Sequence, residues 1–116
     1  MIEKIVLDYL IGRDLDGIGE NVFLETPVNP PAKYIVIQKT SSGKTNQIGR
    51  CLVAVQSICK DSLYEAAVIN ESVIEAMEEF AERSDEIYAC RLNSDYNYTN
   101  PSSKERRYQA VFNIYY

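Results

Sequence analysis

Between Ser62 and Glu82 apolar residues recur at helical spacing without interruption, over a length no other part of the chain matches. At about 100° per residue, Leu63, Ala66, Ala67, Asn70, Val73, Ile74, Met77, Phe80 and Ala81 share an arc of roughly 140°. Glu65, Glu71, Glu75, Glu78, Glu79 and Glu82 fall opposite. The pattern predicts one long amphipathic helix with a buried stripe and a wet face. Ser62 followed by Glu65 has capping-box spacing, in which hydroxyl and carboxylate satisfy the first unpaired backbone N–H groups. Asn70 lies near the centre of the apolar arc, so its amide is expected to be buried and to need partners there.

On either side the period changes. Ile2, Ile5, Val6, Tyr9 and Leu10 keep helical spacing and Gly12 follows, which predicts a short N-terminal helix. Val22-Phe23-Leu24-Glu25 reads as a short edge strand, ended by Pro27 and the Pro30-Pro31 pair. Lys33 to Thr40 is β-branched on both faces, as an inner strand would be. Ser41 to Asn46 is turn chemistry, and Ile48 to Cys59 resumes as a strand with Cys51, Val53 and Val55 on one face, so the two form a hairpin. Glu86 to Tyr98 lacks clean alternation and suits a strand with a bulge or bend. Lys104 to Tyr116 alternates, with Tyr108, Ala110, Phe112, Ile114 and Tyr116 on one face and Arg107, Gln109, Val111 and Asn113 on the other. The expected fold is α+β: a largely antiparallel sheet of about five strands, one long amphipathic helix on one face, and a short N-terminal helix.

The 116 residues fit one domain, 1–116, large enough to fold without staples. The longest apolar run, Cys51 to Val55, is too short to span a membrane, and no charged-then-apolar leader precedes it. The expectation is a protein kept inside the cell that makes it, with no membrane partner. Three cysteines without ligand-like pairing read as buried thiols. Seventeen acidic against twelve basic residues give a net charge of -5, which disfavours a general nucleic-acid binder. The distribution adds more. Lys33 to Lys60 holds five basic residues and no acidic one; Asp61 to Glu86 holds nine acidic residues and only Arg83. Segments of opposite sign either form solvated faces or let one copy's basic segment meet another's acidic helix.

Candidate chemistry is sparse. Gly43-Lys44-Thr45 resembles the end of a phosphate-binding loop, but Gln38 stands where that motif needs glycine and a strand follows. Asp14, Asp16 and Glu25 fall at calcium-loop spacing, but Ile18 occupies a position that needs an oxygen ligand. The chain has no histidine, which removes Ser-His and Cys-His nucleophiles and imidazole metal sites. Asp14 with Asp16 could do acid and base work, yet no nucleophile, base and orienting group can be named together. The expectation is no enzyme, no cofactor and no metal. Six tyrosines near the last hairpin (Tyr88, Tyr96, Tyr98, Tyr108, Tyr115 and Tyr116), beside Arg91, Lys104, Arg106 and Arg107, suit stacking on single-stranded nucleic acid or a protein interface. Net acidity favours the protein interface, so no specific nucleic acid is expected.

Ala89 to Thr99 (ACRLNSDYNYT) and Arg106 to Ile114 (RRYQAVFNI), preceded by Phe23-Leu24-Glu25 and the Pro30-Pro31 break, resemble the small tail-completion or tail-terminator proteins of long-tailed bacteriophages and prophages of Gram-positive bacteria. The likeness spans most of the chain and rests on a pattern of strands and aromatics. It implies a structural subunit, commonly in a hexameric ring, that caps the head-proximal end of the tail tube, stops its growth and meets the head-tail connector. The implied partners are further copies of the chain, the tail-tube protein and the connector. The implied location is the bacterial host cytoplasm during assembly, then the tail or neck of the virion. Assembly surfaces of such proteins involve sheet edges and long loops, which points here to Ser42, Gly43, Lys44, Asn46, Asn97, Tyr98, Lys104, Arg106 and Arg107. A head-completion or neck protein and a single-stranded nucleic-acid-binding module stand as the alternatives.

Overall fold

The computed structural model describes residues 1–15, 17–45, 48–99 and 105–116. The chain folds as α1 (Ile2–Gly12), β1 (Val22–Phe23), β2 (Lys33–Thr45), β3 (Ile48–Cys59), α2 (Leu63–Glu78), α3 (Phe80–Arg83), β4 (Ala89–Asn97) and β5 (Arg106–Tyr115). The strands form one five-stranded sheet in the order β1-β2-β3-β5-β4, antiparallel throughout except where β1 runs parallel to β2. This is the expected α+β architecture, with β1 at one edge and β4 at the other.

Alternation along the strands sends two sets of side chains to opposite faces. Ile35, Ile37, Val53, Val55, Ala110, Phe112 and Ile114 meet Val6 and Leu10 of α1 and Val73 and Met77 of α2 in the main core. Both helices therefore lie on one face. The other face carries a small cluster of Tyr34, Val36 and Ile58, with Phe23 set edge-on to Tyr34 at 6.2 Å between ring centroids. Each of the three cluster residues is buried without a helix above it. Among the described residues no helix packs on this cluster, and neighbouring strands and flanking side chains such as Phe23 supply the burial.

The helix start matches its signal in part. Ser62 accepts from the Glu65 backbone N–H at 3.1 Å, but the Glu65 carboxylate turns to Lys33 at 3.3 Å and to the Cys59 thiol. The reciprocal half of the capping box is replaced by these tertiary partners. The helix also ends earlier than its periodicity suggests. At Glu79 the backbone N–H reaches back to Ala76, an i→i−3 turn tighter than the α-helical one, and the short α3 begins at Phe80. The break keeps Phe80 fully buried, its ring 4.5 Å from that of Tyr9, while Glu79 pairs with Arg13 and Arg83.

A second difference concerns the first hairpin. Residues Ser41 to Thr45, turn-like by type, continue β2 in register with β3 from Ser41↔Leu52 to Thr45↔Ile48, after a register shift between Lys39 and Ser41. Ser41, Ser42 and Gly43 are exposed, so at these three positions backbone pairing outweighs side-chain type. The irregularity expected before the last hairpin is present as a shift between Leu92 and Ser94 in β4.

Candidate assembly interface

The helix-free face of the sheet holds most of the polar chemistry. Opposite residues in an antiparallel ladder share a face, so Tyr34↔Ile58, Gln56↔Gln109, Ile58↔Arg107 and Tyr96↔Gln109 line it up. Arg107 donates through Nη1 to Gln56 Oε1 at 2.9 Å and pairs through Nη2 with Glu105 at 3.5 Å. Gln56 Nε2 donates to Gln109 Oε1 at 2.9 Å, and Gln109 in turn donates to the Tyr96 hydroxyl. Tyr34 donates to Glu105 Oε2 at 2.7 Å. One chain of hydrogen bonds thus runs from Tyr34 through Glu105, Arg107, Gln56 and Gln109 to Tyr96. Burial pushes the Tyr34 phenol up to about 12, and the bond to Glu105 adds to the shift.

Each residue expected at the assembly surface has a distinct place. Ser42 and Gly43 are exposed in the β2 ribbon, opposite Cys51 and Arg50, and Lys44 is paired through its backbone with Gly49. Asn97 ends β4, where its Oδ1 accepts from the Thr99 N–H at 3.0 Å. Tyr98 follows, 49% exposed, edge-on to Tyr96 at 5.9 Å and tied by its N–H to the Arg107 carbonyl. Arg106 is exposed opposite Cys59. Arg107 sits inside the hydrogen-bonded chain above. Asn46 and Lys104 lie outside the described residues. The structure therefore gathers Tyr98 and Arg107, which line one cavity of about 370 Å³ with Leu24, Val36, Gln38 and Gln56. Ser42 and Gly43 stand apart on the ribbon.

Sequence reasoning missed the burial of Gln56 and Gln109, 7% and 8% exposed, since alternation assigns their face to solvent. A signal exists in retrospect: Tyr34, Val36 and Ile58 are large apolar residues on that same face, and they leave little water beside the glutamines. Tyr64 and Val68 were missed as well. They stand 78% and 46% exposed on the outer side of α2, outside the apolar arc.

Three earlier candidates find other roles. Gly43-Lys44-Thr45 runs within a strand paired to β3, so no helix N-terminus follows to hold a phosphate. Ile18, at the calcium-loop position that wants oxygen, is a core residue. Asn70 donates to Asp95 Oδ1 of β4 at 3.1 Å, a side-chain partner, and its own Oδ1 has no partner among the described residues. Burial raises the thiols of Cys51 and Cys90 to about 11 and about 12, so both are neutral at physiological pH. Among the described residues no helix is long and apolar enough to cross a membrane.

These features define a small α+β domain with helices on one sheet face and a polar network on the other. No family model matches the chain, and no curated protein matches it. A chain from a solved structure described as "Virion of native gene transfer agent (GTA) particle" is similar in fold. The two superpose with a TM-score of 0.64 at 12% identity, over 96% of this chain and 83% of that one. At that identity the likeness shows a shared fold.

Proposed function

We propose that this chain is a structural subunit of a phage or prophage particle, and within that class a tail-completion or tail-terminator subunit. In this reading copies of the chain close a ring, commonly hexameric, on the head-proximal end of the tail tube. The ring stops tube growth and offers its outer surface to the connector. The subunit assembles in the host cytoplasm, stays in the tail or neck of the virion, and catalyses nothing. The observation that carries the reading is the fold shared along 96% of the chain with a component of a virion. The strand and aromatic pattern of residues 89–99 and 106–114 supports the tail assignment, as does the sheet, whose edge strand β4 pairs with β5 alone among the described residues. Against a nucleic-acid platform stands the engagement of Arg107 inside the subunit, where Gln56 and Glu105 hold its guanidinium away from a clamping role.

The test is co-sedimentation of the full chain with polymerised tail-tube protein, with tube length measured by electron microscopy. Binding confined to tube ends, with arrested growth, is the expected result. Failure to bind tubes while binding the purified connector would transfer the subunit to the neck. Retention on immobilised single-stranded DNA that falls steeply with salt would replace the structural reading altogether.

A further inference from the structure

The wet side of α2 is not uniformly polar. Tyr64, Val68, Glu71, Glu75 and Glu78 follow one another at spacings of four, three, four and three, so they form a single stripe along the outside of the helix. All five are exposed. The first two are large apolar residues with no packing partner in the core, and no glutamate of the stripe makes an ion pair among the described residues. The stripe is thus apolar at one end and anionic at the other.

The helix-free face offers the complement. Tyr88, Ala89, Arg91 and Tyr115 line an open cleft of about 430 Å³, more apolar than polar in its walls. Beside it on the same face stand the half-buried Leu52 and Val111 and the exposed Arg50. Arg50 and Arg91 make no ion pair among the described residues. The spacings agree. Arg50 pairs with Tyr115 and Tyr115 with Ala89, so Arg50 lies one strand spacing, about 5 Å, from Tyr115 at the near wall of the cleft and two, about 10 Å, from Ala89 at its far wall. Glu71 lies seven residues beyond Tyr64, again about 10 Å along a helix.

We infer that this face docks the α2 stripe of a second copy of the chain: Tyr64 enters the cleft beside Arg91, Val68 lies on the apolar strip, and Glu71 and Glu75 reach Arg50. Charge complementarity selects the occupant, because one chain carries both halves. The two surfaces differ and lie on opposite sides of the subunit, so the contact is head-to-tail. A head-to-tail contact builds a ring where its rotation closes and an open filament where it does not, and the ring-subunit reading requires the first; a two-fold dimer would not use this contact. The inference rests on the ring-subunit reading above and specifies the contact that builds the ring. A guanidinium over the Tyr64 ring and desolvated Arg-Glu pairs are the interactions that would hold it.

Two charge-reversed full-length variants test it by light scattering after size exclusion, over a concentration series at low salt. One is Glu71→Lys with Glu75→Lys; the other is Arg50→Glu with Arg91→Glu. All four positions are exposed, and circular dichroism confirms that each variant is folded. The wild-type chain is expected to associate, each variant alone to lose at least tenfold in association, and an equimolar mixture of the two to recover it. Recovery follows because each variant then supplies the sign the other needs. Tyr64→Ala is expected to weaken wild-type association by a similar factor. A wild-type chain that stays monomeric, variants that associate as well as wild type, or a mixture that fails to recover would each overturn the contact. The tube-binding assay decides the tail reading separately: tube binding without recovery in the mixture refutes this contact alone, and recovery without tube binding refutes the tail assignment alone.

Discussion

Replacing Gln56 with leucine tests whether the hydrogen-bonded chain on the helix-free face is a structural unit. Gln56 is 7% exposed and holds Arg107 and Gln109, each at 2.9 Å. Gln56→Leu removes a bond to a guanidinium, about 1.5–3 kcal/mol, and a neutral bond of about 1 kcal/mol, and leaves the Gln109 oxygen without its donor. New apolar contact with Val36, Ala54 and Ile58 returns part of this, so the net loss is about 2–3 kcal/mol. For 116 residues the unfolding entropy converts each 1 kcal/mol into about 4 °C, so Tm falls by about 8–12 °C. Gln109→Leu alone costs less, about 1–2 kcal/mol, because the Tyr96 side chain it serves is 41% exposed and its hydroxyl can turn to water. The informative variant is the pair. With both glutamines replaced, neither amide is orphaned, so the double variant is expected to be about 1–2 kcal/mol more stable than the summed single effects. Urea unfolding followed by circular dichroism measures all three. Strict additivity, or a Gln56→Leu variant within about 0.5 kcal/mol of wild type, would refute the claim that these side chains act as one buried network.

Three further outcomes follow from the same structure. Phe80→Ala empties a fully buried site against Tyr9 and is expected to cost about 3–5 kcal/mol in chemical unfolding, the largest loss among these variants. Ser62→Ala removes the N-cap bond and is expected to lower Tm by about 4 °C, while Glu65→Gln, whose carboxylate faces Lys33, changes it by under half as much. The Tyr34 phenol is raised in the fold from 10.0 to about 12, so its stabilising contribution is complete below pH 10 and is lost as pH rises toward 12. Thermal unfolding of Tyr34→Phe is expected to lose that part of the alkaline decline, and an unchanged pH dependence would count against the assigned shift.

Much of this molecule is written in local periodicity. The 3.6-residue repeat of α2, the shorter repeat of α1 and the alternation in β3 and β5 place most of their apolar residues in the main core, because one helix or strand face must be apolar to leave water. Leu63 and Tyr116, expected there, are exposed, and Ile69 and Ala76, outside the expected arc, are buried. Ser62 likewise marks a helix start by a bond that spans three residues. What neighbours decide is absent from such patterns. Glu65 has capping-box spacing, yet Lys33 of a distant strand takes its carboxylate. Ser41 to Thr45 are turn-formers by type, but the ladder to β3 keeps them extended. Gln56 and Gln109 alternate as solvent residues, but they meet across a strand pair beneath Arg107, where water is replaced by protein partners. Arg107 itself changes from an expected surface cation into an internal tie. The placement of β5 between β3 and β4 is likewise a tertiary matter, and it is this insertion that brings Arg50, Tyr115 and Ala89 into one row. Sequence by itself determines which face of each element must be buried, since that is a property of consecutive residues. Which faces then meet, and which polar groups are left to pair with one another or with a second copy, depends on contacts between residues far apart in the chain, and only the assembled sheet decides it.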